Sequence, residues 1–343
     1  MTRKVSIKDI AKALDLSITT VSFVINGKAE EMGISTSTIH KVMEHITKID
    51  YSPSNAARIL RTGRSNTIGL IVEDLGNYFF GNVAKVIELE ASKRGYNVFL
   101  SSTDNSTKTA KELIRKMRSS SVDGLIITPT KGLKEELEKL SADLVPYVLL
   151  DRRVPDLESH YVVLDNHKGA YDLTNHLITR GYQDIGFVTI VSEMSQMEER
   201  ENGFLDALRD NGMKSEKAGI LKVRFDDTYE EMIDAITKFV KKRKGLDALF
   251  FATNYLGVCG IEALRKAKIK IPYDISVVSF DDNDLFRLFT PSITVAAQPI
   301  HTIAVEAIDL LLSLIHTKER WAKDTGKVIS PELIVRESTL VKL

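Results

Sequence analysis

Over the first sixty residues, apolar positions recur with the period of short helices. Ile7, Ile10, Ala11 and Leu14 share one helical face, and Ser6 with Asp9 three positions on is a helix-start signal. A break at Asp15-Leu16-Ser17 leads to a second apolar set, Ile18, Val21, Val24 and Ile25, with Ser17 placed as its N-cap. A Gly-bounded charged loop, Gly27 to Gly33, follows. Ser35 then starts a third helix carrying Ile39, Val42, Met43 and Ile46 on one face. Three such helices can enclose one small core. Two short helices joined by a tight turn form a helix-turn-helix pattern, whose second helix lies in a DNA major groove.

The grammar changes at Thr67. Strand-like runs at Ile68 to Val72, Val98 to Ser102, Gly124 to Thr128 and Tyr147 to Leu150 are separated by amphipathic helical segments. The pattern restarts after Asp165, with runs at Ile185 to Ile190, Ala248 to Ala252 and Ser276 to Phe280. Such alternation predicts doubly wound parallel sheets, and the restart predicts two similar lobes. The fold expected is an all-α helix-turn-helix head followed by a two-lobed α/β body.

Between the two lies YSPSNAARILRTGRS. Ser52 can cap a helix with Pro53 at its first position, followed by Ala56, Ala57, Arg58, Ile59 and Leu60. A helix this short is marginal alone, so it is expected to form on DNA. Leu60, flanked by Arg58, Arg61 and Arg64, suits a wedge between base steps in a minor groove. Packing of Leu60 against the body fits the pattern equally well.

Composition narrows the reading. The chain has 343 residues, 43% hydrophobic and 27% charged, which suits a soluble protein of about two domains. Its 47 basic and 47 acidic residues cancel, but residues 1–65 hold ten Lys or Arg against six Asp or Glu, leaving 37 against 41 elsewhere. A mildly basic head on a mildly acidic body suits DNA contact by one end. Cys259 is the lone cysteine, which excludes an intramolecular disulfide and a cysteine metal cluster. Charges interrupt any apolar signal core near the start, and no run approaches a membrane span, so a cytoplasmic protein without a membrane partner is expected.

The second helix presents Thr19, Thr20, Ser22, Phe23 and Asn26 outside its apolar set, side chains able to reach base edges and phosphates. The bland alternative is a polar hairpin within a small bundle. In the body, ligands of doubly wound sheets bind beyond the carboxyl ends of strands. Asn77, Tyr78 and Phe79, Thr128, Asp151 and Arg152, Asn254 and Asp281 stand at or just after such ends, and Arg200 would face them from a helix. Acids, amides and an arginine beside aromatic rings suit a polyol, whose hydroxyls need donors and acceptors and whose apolar face needs a ring. For any one of these residues a loop cap or surface ion pair is the plainer reading; their recurrence at strand ends argues for a site. No phosphate loop, metal pair or nucleophile constellation stands out, so neither enzymatic activity nor a cofactor is expected.

The opening SIKDIAKALDLSITTVSFVIN, the linker YSPSNAARILRTGRSNTIGLIV, VEDLGNYFF, RENGF at Arg200 to Phe204, FATN at Phe251 to Asn254, and VVSFDD followed by TPSITVAAQP carry a further signal. Together they resemble the lactose and galactose repressor family of bacterial transcription regulators over almost the full length. The resemblance implies a head at 1–50, a hinge helix and linker at 51–66, and an effector-binding, dimerising body at 67–343 similar to periplasmic binding proteins. The N-lobe is expected at about 67–165 and 293–325, the C-lobe at about 166–292 and 326–343. By matching position, Ile18, Thr19 and Phe23 fall at base-reading places, Thr20, Ser22 and Asn26 nearer the backbone, and Leu60 at the wedge. Ser6, Ser17, Tyr51, Ser52, Asn55 and Arg58 complete the expected DNA-facing set. Tyr78, Phe79, Asp151, Arg200, Asn254 and Asp281 fall on effector-contacting positions, as do Thr128 and Phe225, and Arg152 joins the expected effector set from its strand end. The implied protein is a homodimeric repressor on a near-palindromic double-stranded operator, controlled by a small effector, expected to be a carbohydrate. The chain departs from the family's pattern at Ile39, where an arginine is frequent, at Tyr255, usually Asp, and at Tyr78, often proline.

Overall fold

The computed structural model describes residues 5–51, 59, 63–192, 194–214, 218–317 and 326–339. The chain forms two compact units, Met1–Ser65 and Asn66–Leu343.

In the first unit, α1 (Ile7–Leu14), α2 (Ile18–Ile25) and α3 (Thr36–Lys48) enclose a core of Ile10, Ala11, Leu14, Val21, Val24, Ala29 and Val42. Each helix begins where a side chain satisfies its orphan N–H groups: Ser6, Ser17 and Ser35 accept from the third residue on. α1 ends at Asp15 in the left-handed region, φ 54°, which turns the chain within three residues into α2. The Gly27 to Gly33 loop is not wholly polar. Its ends take left-handed conformations that glycine adopts at little cost, and between them Ala29, 5% exposed, plugs the core. Ile39 packs half-buried against the same core, so the position that often carries an arginine serves packing here.

The second unit holds two sheets. Among the described residues, the first runs β11-β5-β4-β3-β1-β2, built from β1 (Thr67–Val72), β2 (Asn97–Ser102), β3 (Gly124–Ile127), β4 (Tyr147–Asp151), β5 (Tyr161–Leu164) and β11 (Gly326–Ile329). The second runs β12-β10-β9-β8-β6-β7, from β6 (Ile185–Ile190), β7 (Gly219–Val223), β8 (Ala248–Phe251), β9 (Ser276–Phe280), β10 (Thr294–Ala297) and β12 (Glu332–Ile334). All pairings are parallel except β10 with β12. The order 2-1-3-4-5 in one lobe is repeated as 7-6-8-9-10 in the other, the duplication that the sequence restart implies.

The lobe boundaries differ from those expected. Strand β10 pairs with β9, so residues 294–297 belong to the second lobe, and β11 pairs with β5, so 326–329 belong to the first. The chain therefore crosses between lobes three times, after β5, after β10 and after β11. Strands β5, β7, β10, β11 and β12, three to five residues long, were absent from the sequence reading.

Two helices of the second lobe, α7 (Asn166–Thr179) and α8 (Ser195–Asp210), pack so closely that a side chain on Gly203 would meet the His167 carbonyl oxygen at 2.2 Å. Backbone cannot yield as a side-chain tip can. Gly203→Ala should therefore lower unfolding stability by about 1–3 kcal/mol. Urea denaturation tests this; a change below the precision of the measurement would show that the helices separate freely.

Candidate functional site

The outward face of α2 is set by what the core takes. Val21 and Val24 point inward, leaving Ile18 46% exposed, Thr19 exposed, and Thr20, Ser22 and Phe23 half-buried. Ile18 stands at the first position of α2. Several polar side chains expected to face DNA already serve the fold. Ser6 and Asp9 form a reciprocal capping box, with the Asp9 carboxylate accepting from the Ser6 N–H at 2.8 Å. Ser17 accepts the Thr20 N–H at 2.9 Å, and the Asn26 amide donates to the Ser22 carbonyl. Tyr51 packs against the head core. Ser52, Asn55, Arg58 and Leu60 lie outside the described residues.

The body's cleft opens beyond the carboxyl ends of both sheets. Strand β4 delivers Asp151 and β9 is followed by Asp281, both with φ in the left-handed region, 72° and 66°. Each conformation is costly for a non-glycine residue.

On the second-lobe wall, Arg200 is 3% exposed and reaches several elements at once. Its Nε donates to Asn166 Oδ1 at 2.9 Å, and Nη1 donates to the Ala252 carbonyl at 2.6 Å and to Asp281 Oδ2 at 3.3 Å. The guanidinium lies over the Phe280 ring, 3.7 Å from its centroid. Gln298, just past the second crossing, donates to Asp281 Oδ1 at 2.6 Å. The adjacent Asp282 is held bidentately by Arg336 at 2.8 and 2.6 Å.

The first-lobe wall carries a matching cluster. Arg152, 4% exposed, donates through Nε to Asp151 Oδ2 at 3.0 Å and through Nη2 to Glu73 Oε2. Burial disfavours its charge, but Asp151 and Glu73 more than offset this, so the cation is held above its ordinary pKa. Phe79 supplies a ring 6% exposed on the same wall, and Phe225 another at the rim. Asn77 lines the cleft and caps its own helix, accepting the Phe79 N–H at 2.9 Å.

Phe79, Asp151, Arg152, Arg200, Phe225, Asn254 and Asp281 are thus gathered into one cleft. Two expected residues stand elsewhere. Thr128, one residue past the end of β3, is buried and does not line the cleft. Tyr78 turns to an adjoining pocket, where its hydroxyl meets Asp284 of the other lobe at 3.3 Å. The sequence reading missed Glu73, Asn105, Gln196 and Gln298, all of which line the cleft. Glu73 follows β1 directly and obeys the strand-end rule. Gln298 follows β10, a strand that the reading lacked. Asn105 Oδ1 and Gln196 Oε1 are buried without a hydrogen-bond partner among the described residues. Burial pushes the Tyr255 phenol up to about 12, keeping it a neutral group in the wall.

Among the described residues no helix is long and apolar enough to cross a membrane. Comparison with known proteins bears on both units. Residues 6–54 match the family described as bacterial regulatory proteins, lacI family, and residues 174–339 match the periplasmic binding protein-like domain. The HTH-type transcriptional regulator RegA of Clostridium saccharobutylicum is 32% identical over 98% of this chain and 99% of its own. A lac repressor dimer solved with operator and the anti-inducer ONPF has the same fold, with a TM-score of 0.84 at 21% identity over 98% of this chain and 100% of that one. An Enterococcus faecium regulator of the same family, solved with bound ribose, aligns at a TM-score of 0.71 and 26% identity over 81% of this chain and all of its own.

Breaking a buried ion pair strands a charge. Arg200→Ala should cost about 3–5 kcal/mol of stability, and a double-mutant cycle with Asp281→Asn should show strong coupling. Additive effects in denaturant titrations would mean that the two side chains do not act as a pair.

Proposed function

The chain belongs to the lacI family of bacterial regulatory proteins and is a DNA-binding transcription regulator, and from this we propose that it is a repressor whose hold on its operator is controlled by a sugar bound in the body. The observation that carries the effector half is the cleft itself. Two arginine–carboxylate clusters face each other across it, beside Phe79 and two amide oxygens that lack partners. A sugar offers hydroxyl donors for those oxygens, acceptors for the remaining guanidinium N–H groups and an apolar face for the ring. The ribose held by the Enterococcus faecium relative supports the same class.

In this reading the exposed end of α2 enters the major groove. Ile18, Thr19 and Phe23 meet base edges, while Thr20, Ser22 and Asn26 lie nearer the backbone. A homodimer presents two heads to a near-palindromic operator, and Leu60 from each hinge segment wedges at its centre. Phe79, Asp151, Arg152, Arg200, Phe225, Asn254 and Asp281 hold the effector. Closure of the lobes around it changes the linker at 51–66 and thereby DNA affinity. Effector and operator then differ in preference between two body arrangements, a coupling of about 1–3 kcal/mol in the usual range.

Selection of bound sequences from random DNA, with and without cell metabolites, tests both halves; no preference for any duplex under either condition would sink the reading. Leu60→Ala should lose on the order of tenfold in operator affinity with effector binding intact, and unchanged operator affinity would remove the wedge. Calorimetry against sugars and nucleosides decides the ligand class, and a response to nucleosides alone would replace the sugar.

A further inference from the structure

Building on the effector reading above, we propose that Glu73 sets the charge class of the effector: by occupying Arg152 it bars anionic ligands and leaves the cleft to an uncharged polyol. Among the described residues lining the cleft, the cations are Arg152 and Arg200, and each is held by a carboxylate. Arg152 has two, Glu73 and Asp151, whose side chains are 16% and 10% exposed. Arg200 has Asp281, 12% exposed. Three carboxylates against two guanidinium groups leave the cleft with one negative charge.

A phosphate or carboxylate entering this site finds no free cation. It meets fixed negative charge at short range, on carboxylates that are themselves largely buried. Arg287, in the adjoining pocket, is itself engaged by Asp284. Among the described residues, two of the three unpartnered polar groups lining the cleft point the same way, and the third, the Tyr255 hydroxyl, can donate or accept. Asn105 Oδ1 and Gln196 Oε1 are acceptors, and they need a ligand with protons to give. A hydroxyl has one; an ionised oxygen has none.

Glu73 is the member of the set that can be altered with the least damage to the fold. Asp151 would still accept from Arg152 Nε, and the Arg200 cluster would be untouched. Its removal uncovers part of a guanidinium, the group best suited to bind a phosphate.

The test is isothermal titration of the full chain and of Glu73→Gln, at matched ionic strength, with three pairs: glucose and glucose 6-phosphate, ribose and ribose 5-phosphate, guanosine and guanosine monophosphate. The wild type should bind the uncharged member of a pair at least tenfold more tightly than its phosphate. Glu73→Gln should gain tenfold or more for the phosphorylated member relative to the uncharged one. Glu73→Ser, checked for an unchanged melting transition, should behave alike. Equal or tighter binding of a phosphate by the wild type overturns the proposal, and so does the absence of any gain in both variants. Binding confined to the guanosine pair would reject the sugar reading while still judging Glu73 on that pair.

Discussion

One buried side chain organises the ligand-facing wall of this protein. Arg200 joins α8, on which it sits, to α7 through Asn166, to the end of β8 through the Ala252 carbonyl, and to the end of β9 through Phe280 and Asp281. A guanidinium suits the task because its planar fork offers donors in several directions and its face can lie on a ring. Asp281 passes the connection to Gln298 beside the second crossing. The wall is thereby tied together by the protein's own groups, which also offset the cost of burying the charge.

The other wall repeats the device with different parts. Arg152 is fixed by Asp151 and Glu73, and both aspartates leave their strands in the left-handed region. Across the gap between them, each lobe thus presents a buried arginine–carboxylate cluster, the first with two carboxylates on its guanidinium and the second with one. Tyr78 and Asp284 meet across that gap in the arrangement described here. Their contact is exposed, so it is worth little by itself and can be exchanged as the lobes move.

Most of the architecture was legible in the residues. The caps at Ser6, Ser17 and Ser35, the break at Asp15, and the restart after Asp165 fixed the head and the doubled body, because capping and periodicity are local and survive in any context. Strands β5, β7, β10, β11 and β12 and the crossings were not legible. A stretch such as Glu332–Ile334 becomes a strand only because β10 lies beside it.

The site divides along the same line. Sequence alone determined which residues stand at strand ends, and so named Phe79, Asp151, Arg152, Asn254 and Asp281 in advance, since position after a strand is a property of the chain. Only the tertiary structure decided that Thr128 does not line the cleft, that Tyr78 turns to Asp284, and that Glu73 takes Arg152. Those outcomes depend on distances between segments far apart in the chain, some joined by three crossings, and no local pattern encodes a distance.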